Sequence, residues 1–360
     1  MPISRVNLLA HCMSDSTILL QNDTLELVVK PVADVAVADL LATIVYGAHG
    51  IRYRHSGREL KIGQFQNPLY FHLYVSGTLQ GFYCLDRRTV TGPWGPIDGF
   101  YGRYLAVSEA FQGRGYGRLL KSEAVRYVER QFTPPYLFYS YIEEKNVRSM
   151  RLSNERGFAS YGQLKTFVFR RLRPRPDPRV ARIPPAELTA FLPRLQAAYQ
   201  TYALKTDARI GYQGNYFGLK EGNEWVAGVQ ANPVSWQFLT MPGTSGWLMM
   251  YVLPHLPLLN RLFSPSYRFL ALEGPYLQPG REALLPTLLE SVLAHFQLSS
   301  ALIQIDSQDP LLPTVTTNMG LFSGFESVNT HVMIKAHGLT PDQLERLQHA
   351  PFYCSSFDYT

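Results

Sequence analysis

Short apolar runs punctuated by glycine turns alternate along this chain with stretches of helical period. Residues 25–30 read as a first strand. Residues 70–73 lead through Gly77 to residues 81–83, a β-hairpin pattern, and residues 104–107 are a further short apolar run. From Gly117 to about Gln131 the period changes: Leu119, Leu120, Ala124, Val125 and Val128 share one helical face. Another strand is expected at 136–142, then a helix opened by Asn146, then a β-rich run at 165–170.

The same order returns after a Pro/Arg-rich stretch, residues 171–178, which reads as an extended connector. Residues 216–219 lead through Gly222 to Gly228 and Val229. A run at 268–272 matches 103–107. A helical run at 281–296, a strand at 300–305 and the segments 320–325 and 330–335 complete the echo. A repeat of this length indicates duplication of a domain. The expected fold class is α/β, an α+β mixed sheet, with residues 1–23 an N-terminal extension, 24–172 a first domain, 173–178 a linker, 179–338 a second domain and 339–360 a tail. Thr340-Pro341 is a helix start within that tail, whose Phe352, Tyr353, Phe357 and Tyr359 suit docking on the body of the protein.

Between the run at 104–107 and the helix lies Gln112-Gly113-Arg114-Gly115-Tyr116-Gly117. Glycines between a strand and a helix let backbone N–H groups approach an anion, and the helix N-terminus adds partial positive charge. The loop lacks the Gly-Lys-Ser/Thr ending of a nucleoside-triphosphate loop, and Arg118 stands where a dinucleotide fingerprint needs its third glycine.

The spacing Gln112, Gly115, Gly117 resembles instead the pyrophosphate loop of the GNAT superfamily of N-acetyltransferases. The stretch from Asn146 to Gly157-Phe158 looks like that family's second cofactor element. The resemblance implies two tandem GNAT-like folds and acetyl-CoA (CoA) as co-substrate, transferring an acyl group directly to an amine of a small molecule or peptide. It implies backbone groups at Ala106 and Val107 for the thioester arm, and amides from Gly113, Arg114, Gly115, Tyr116, Gly117 and Arg118 for the pyrophosphate. Gln112 and Arg114 are side-chain candidates, and Asn146 with Ser149 would serve the pantetheine. Many family members place a tyrosine general acid where this chain has Ser153, which would relay a proton or simply lie on the helix surface. The substitutes are Tyr139, Tyr141 and Glu143, with Tyr141 or Glu143 preferred. Tyr46, Tyr53, His55 and Arg58, in the loop of residues 47–66 or at its edge, are candidates for the acceptor.

The second half has Gln278-Pro279-Gly280-Arg281-Glu282-Ala283 at the corresponding place. A side chain replaces each critical glycine, Pro279 removes a donor and Glu282 adds a repelling charge. That half is expected to have lost its cofactor site. A formal charge of +6 with only 17% charged residues suits an anionic ligand without demanding nucleic acid. Cys12, Cys84 and Cys354 form no metal-spaced pair, and no His spacing suits a metal. Pro254, His255 and Pro257 interrupt the longest apolar stretch, so no membrane span is expected; the expected setting is cytoplasmic, as a monomer or homodimer. The competing readings are a CoA-binding sensor or pseudo-enzyme without turnover, and a transferase of aminoacyl or long-chain acyl groups.

Overall fold

The computed structural model describes residues 16–47, 50–56, 62, 65, 67–257, 259–261, 263–317 and 328–360. Its strands, in chain order, are β1 (Thr17–Gln21), β2 (Leu25–Lys30), β3 (Arg52–His55), β4 (Asn67–Val75), β5 (Thr78–Gly92), β6 (Gly95–Val107) and β7 (Tyr136–Glu143). Then come β8 (Ala159–Arg170), β9 (Val180–Arg182), β10 (Tyr216–Glu221), β11 (Glu224–Thr240), β12 (Ser266–Leu277), β13 (Ser300–Asp306) and β14 (Asn329–His337). The strands divide between two compact units.

The first unit comprises the described residues of 1–43, 61–87 and 101–132. Its strands run β1-β2-β4-β5-β6, with β5 as far as Arg87 and β6 from Tyr101. Ser76 and Gly77, both at positive φ, make the two-residue turn between β4 and β5. The helix Tyr116–Gln131 packs on this sheet because its apolar stripe points there: Leu120, Ala124 and Val128 are fully buried. A methyl group added at Gly81 would meet Leu120 at 2.9 Å, so helix and strand approach at van der Waals contact. Burial of each such Leu or Val stabilises by about 1.5–3 kcal/mol. The expected helix and hairpin are both present. Strand β1 is an addition: its side chains are exposed or half-buried, so no apolar run announces it.

The second unit comprises the described residues of 44–60, 88–100 and 133–360. It therefore does not follow the midpoint linker. Its strand order explains why: β7-β14-β8-β13-β12-β11-β10-β9, with β3 on β11. Strand β14, from the end of the chain, lies between β7 and β8 and pairs antiparallel with both. Reciprocally, β8 lies between β14 and β13. Each half's penultimate strand is thus flanked by the other half's last strand. The sheet is mixed, since β12 and β13 are parallel while their neighbours are antiparallel. The helix Leu285–Phe296 covers it, with Leu288, Val292 and Leu293 in one core with Phe217, Leu270 and Ile303.

The helix Pro341–His349 starts where the sequence places it, with a Thr340–Gln343 capping box. The linker carries no strand or helix from Arg171 to Arg179 and is tied to the helix Leu285–Phe296 through the ion pair Arg171–Glu290 and the bond from the Asp177 N–H to Ser291. The echo at 320–325 lies outside the described residues.

Candidate functional site

Strand β6 departs from regular geometry at Tyr104, whose φ is +58°. A bulky residue rarely adopts this conformation, and within a strand it re-aims the amides that follow, those of Leu105, Ala106 and Val107. Arg103 holds the position: it is buried, donates to the Tyr104 hydroxyl at 2.9 Å and lies over the rings of Phe65, Tyr101 and Tyr104. Nothing in a single sequence marks a left-handed tyrosine, so this element was not foreseen.

Beyond β6 the chain makes a 3-10 turn (Glu109–Phe111) and enters the glycine loop. Gln112 donates its amide to the Val107 carbonyl at 3.2 Å, so this side chain fastens the loop to the end of β6. Arg114 stacks its guanidinium over Phe111, 4.7 Å from the ring centroid. Gly115 is the N-cap of the helix Tyr116–Gln131 at φ +84°, ψ 0°, with no capping side chain. The first amides of a helix have no intrahelical acceptor. Those of Gly113, Arg114, Gly115, Tyr116 and Gly117 have no hydrogen-bond partner among the described residues. A Cβ at Gly113 or Gly115 would meet nothing within 4 Å, and one at Gly117 only Val107, at 4.0 Å. The loop thus leaves unpaired backbone donors beside open space at a helix N-terminus, which fits a pyrophosphate.

The other predicted residues belong to the second unit. Asn146 caps the helix Val147–Asn154, its Oδ1 accepting from the Ser149 N–H at 3.1 Å. Gly157, at φ +78°, closes that helix and Phe158 is buried. Ser153 is not on the helix surface: it is fully buried and its hydroxyl donates back to the Ser149 carbonyl at 2.9 Å. The position faces inward because the Gly157 turn folds the Phe158 amide back onto the Ser153 carbonyl.

On β7, Tyr139, Tyr141 and Glu143 share one face by alternation. Tyr139 is fully buried, with Arg88 over its ring. The Tyr141 hydroxyl donates to the Tyr353 carbonyl at 3.2 Å. Glu143 is half-buried and accepts from the Tyr53 hydroxyl at 3.2 Å. Burial pushes its carboxyl above the ordinary value, while the Tyr53 bond and the charge of Lys145 pull it back. Cys84 and Cys354 are buried; Cys12 and Arg58 lie outside the described residues. Among the described residues no cluster of His, Cys, Asp and Glu could hold a metal, and no helix is long and apolar enough to cross a membrane.

The second half's loop is built differently. The Glu282 carboxylate turns back to accept from the Gly280 N–H at 3.0 Å, so the chain supplies its own anion there. Arg281 pairs with Glu221, and the α-helix begins only at Leu285, after a 3-10 turn. The parallel strands β12 and β13 pair only at Leu270–Ala301 and Ala271–Leu302. Past that point residues of the C-terminal tail fill the separation. The Tyr359 hydroxyl lies 2.7 Å from the Leu272 carbonyl and 3.1 Å from that of Leu302. Buried Glu273 accepts from Tyr353, Ser355 and Ser356. What remains is a cavity of about 10 Å³, room for one water. Tyr359→Phe removes the donor from these carbonyls and is expected to cost about 1–2 kcal/mol in urea unfolding, with no change in acyl-CoA stoichiometry.

Lys121, buried on the helix that follows the glycine loop, has its ammonium pushed down to about 7 by desolvation. Between pH 7 and about 10.4 the unfolded chain holds a proton that the folded chain lacks, so stability rises with pH across this window. Lys121→Met is expected to stabilise the protein by about 1–3 kcal/mol at pH 7 in denaturant titrations, with the gain fading above pH 10.

Among known proteins, residues 39–158 match the model of the acetyltransferase (GNAT) family. No curated protein matches the chain in sequence. Of solved structures, N-myristoyltransferase from Saccharomyces cerevisiae with bound myristoyl-CoA is similar at a TM-score of 0.57 and 9% identity, over 91% of this chain and 87% of that one. A GCN5-related N-acetyltransferase from Kribbella flavida aligns at 0.48 and 12% identity, over 87% of this chain and 71% of that one.

Proposed function

We propose that the chain, whose residues 39–158 match the GNAT acetyltransferase family, transfers the acyl group of acetyl-CoA, or of a longer acyl-CoA, to a primary amine. The observation that carries this is the loop of residues 113–117: amides without partners, beside open space, at an uncapped helix N-terminus. The pyrophosphate takes those donors. The amides that follow the Tyr104 bulge polarise the thioester carbonyl.

Glu143 takes the proton. An ammonium acceptor gives one proton to the Glu143 carboxylate and attacks as the neutral amine. The C–N bond forms, the C–S bond breaks, and the second proton leaving nitrogen neutralises the thiolate. Tyr139 is packed and Tyr141 already donates to a carbonyl, which leaves Glu143 as the group whose chemistry suits the role. The second half is a duplicated domain without a cofactor site, as its self-bonded Glu282 and filled β12–β13 separation suggest. The cytoplasmic setting and the monomeric or dimeric state belong to the same proposal.

The test is thiol release from acyl-CoA of chain length two to fourteen carbons against a panel of primary amines. Amine-dependent release supports transfer. Saturable acyl-CoA binding with no release for any amine would favour the sensor reading.

A further inference from the structure

Strand β3 comes from the segment between the first unit's strands in sequence, yet it pairs antiparallel with β11. The register sets His55 opposite Trp236 and Tyr53 opposite Phe238. The result is a stack of rings. Tyr46 and His55 lie 4.3 Å apart at 14°, His55 and Trp236 5.2 Å apart at 4°, and Tyr53 and Trp236 4.6 Å apart at 23°. All four side chains are half-buried rather than sealed in a core.

Tyr53 links this stack to Glu143 through its hydroxyl. Thr330 sits directly opposite Glu143 on β14, and residues so paired share a face of the sheet. Thr330 is 4% exposed and its hydroxyl has no partner among the described residues; the indole N–H of Trp236 is likewise buried without one. Buried polar groups in a folded protein ordinarily have partners, so an orphan hydroxyl paired across the sheet with a carboxylate points to a polar ligand atom. The parallel ring planes point to a flat ligand body.

We propose that this cluster is the acceptor subsite and that the acceptor is a primary amine carrying an aromatic ring. The ring extends the stack of Tyr46, His55, Trp236 and Tyr53. The ammonium is held by Glu143, with the Thr330 hydroxyl as a second acceptor. The inference rests on the acyl-transfer reading for the fate of the amine, but its geometry does not depend on the glycine loop. An aliphatic amine forgoes the stacking, and an anionic acceptor is repelled by Glu143. A free arylalkylamine and a peptide with an aromatic N-terminal residue present the same chemistry.

The experiment is calorimetric titration of the full chain, with and without CoA, using phenethylamine, butylamine and the amide of Phe-Ala. Phenethylamine or the Phe-Ala amide is expected to bind at least about tenfold more tightly than butylamine. Whichever of the two binds more tightly names the source. Trp236→Leu is expected to erase the aromatic preference. Glu143→Gln is expected to weaken every amine about equally, and Tyr53→Phe to keep the preference while loosening all amines. These two variants carry the test if Trp236→Leu unfolds. Binding of both phenethylamine and the Phe-Ala amide no tighter than butylamine overturns the proposal, as does binding of acetyl-CoA with no aromatic amine bound in any state. Aromatic preference without acyl-CoA binding would leave the subsite standing and sink the transferase reading.

Discussion

Gly115→Glu is expected to weaken acyl-CoA binding by more than about 100-fold, whereas Arg281→Glu leaves it within about twofold. The first change acts three ways. At φ +84° any side chain carries strain, of order 1–2 kcal/mol. The new side chain projects into the open space beside the amides of the loop. Its carboxylate then competes with the pyrophosphate for the same donors and repels it. Together these exceed about 3 kcal/mol, and each 1.4 kcal/mol is a factor of ten. Arg281→Glu, at the corresponding place in the second half, breaks an ion pair with Glu221 whose side chains are half-exposed. Such pairs contribute about 0–1 kcal/mol, so stability changes little. Calorimetry on the two variants checks the pair, and comparable losses in both would mean that the second half holds a working site.

Glu143→Gln is expected to lower kcat/KM by about 10²–10⁴-fold, the range for loss of a positioned base. The pH profile carries the sharper signature. A base must be ionised, so activity falls as pH drops through its pKa. Burial raises that pKa above the ordinary carboxylate value. The acid limb of the wild-type profile therefore lies above that value, and the Gln variant loses the limb. Tyr53→Phe removes the hydrogen bond that favours the ionised form, so it moves the limb to higher pH. A Gln variant with a wild-type profile would return the role to Tyr141 or to water.

Local features were legible and long-range ones were not. The glycine loop, the helix Tyr116–Gln131, the Asn146 cap and the Thr340 capping box are written within a few residues of where they act. The exchange of β14 and β8 is a pairing choice between strands of similar composition far apart in the chain, Ser300 pairing with Arg170 and Thr330 with Glu143, and no local pattern encodes it. Strand β3, Arg-Tyr-Arg-His, has no apolar alternation; it is a strand because β11 offers an edge and Trp236 offers a ring. The sequence offers the aromatic residues at 46, 53 and 55 as acceptor candidates, but not their stacking partner Trp236, which comes from the other half of the chain. The inward turn of Ser153 and the left-handed Tyr104 follow from tertiary packing alone.

Under the proposed duplication, the second half keeps its fold while its loop is closed from within the chain. Glu282 bonds the Gly280 amide that a phosphate would take, and the tail closes the separation of β12 and β13 with the Tyr359 hydroxyl. The donors that stay exposed at residues 113–117 are answered there from within the chain.

Titration of the purified chain with acetyl-CoA, and with myristoyl-CoA in a second run, tests the central claim most directly. The account predicts one saturable site per chain for at least one of the two, lost in Gly115→Glu and kept in Arg281→Glu. Saturable binding of neither, or binding that survives Gly115→Glu, would mean that the loop of residues 113–117 is a turn and not a cofactor cradle.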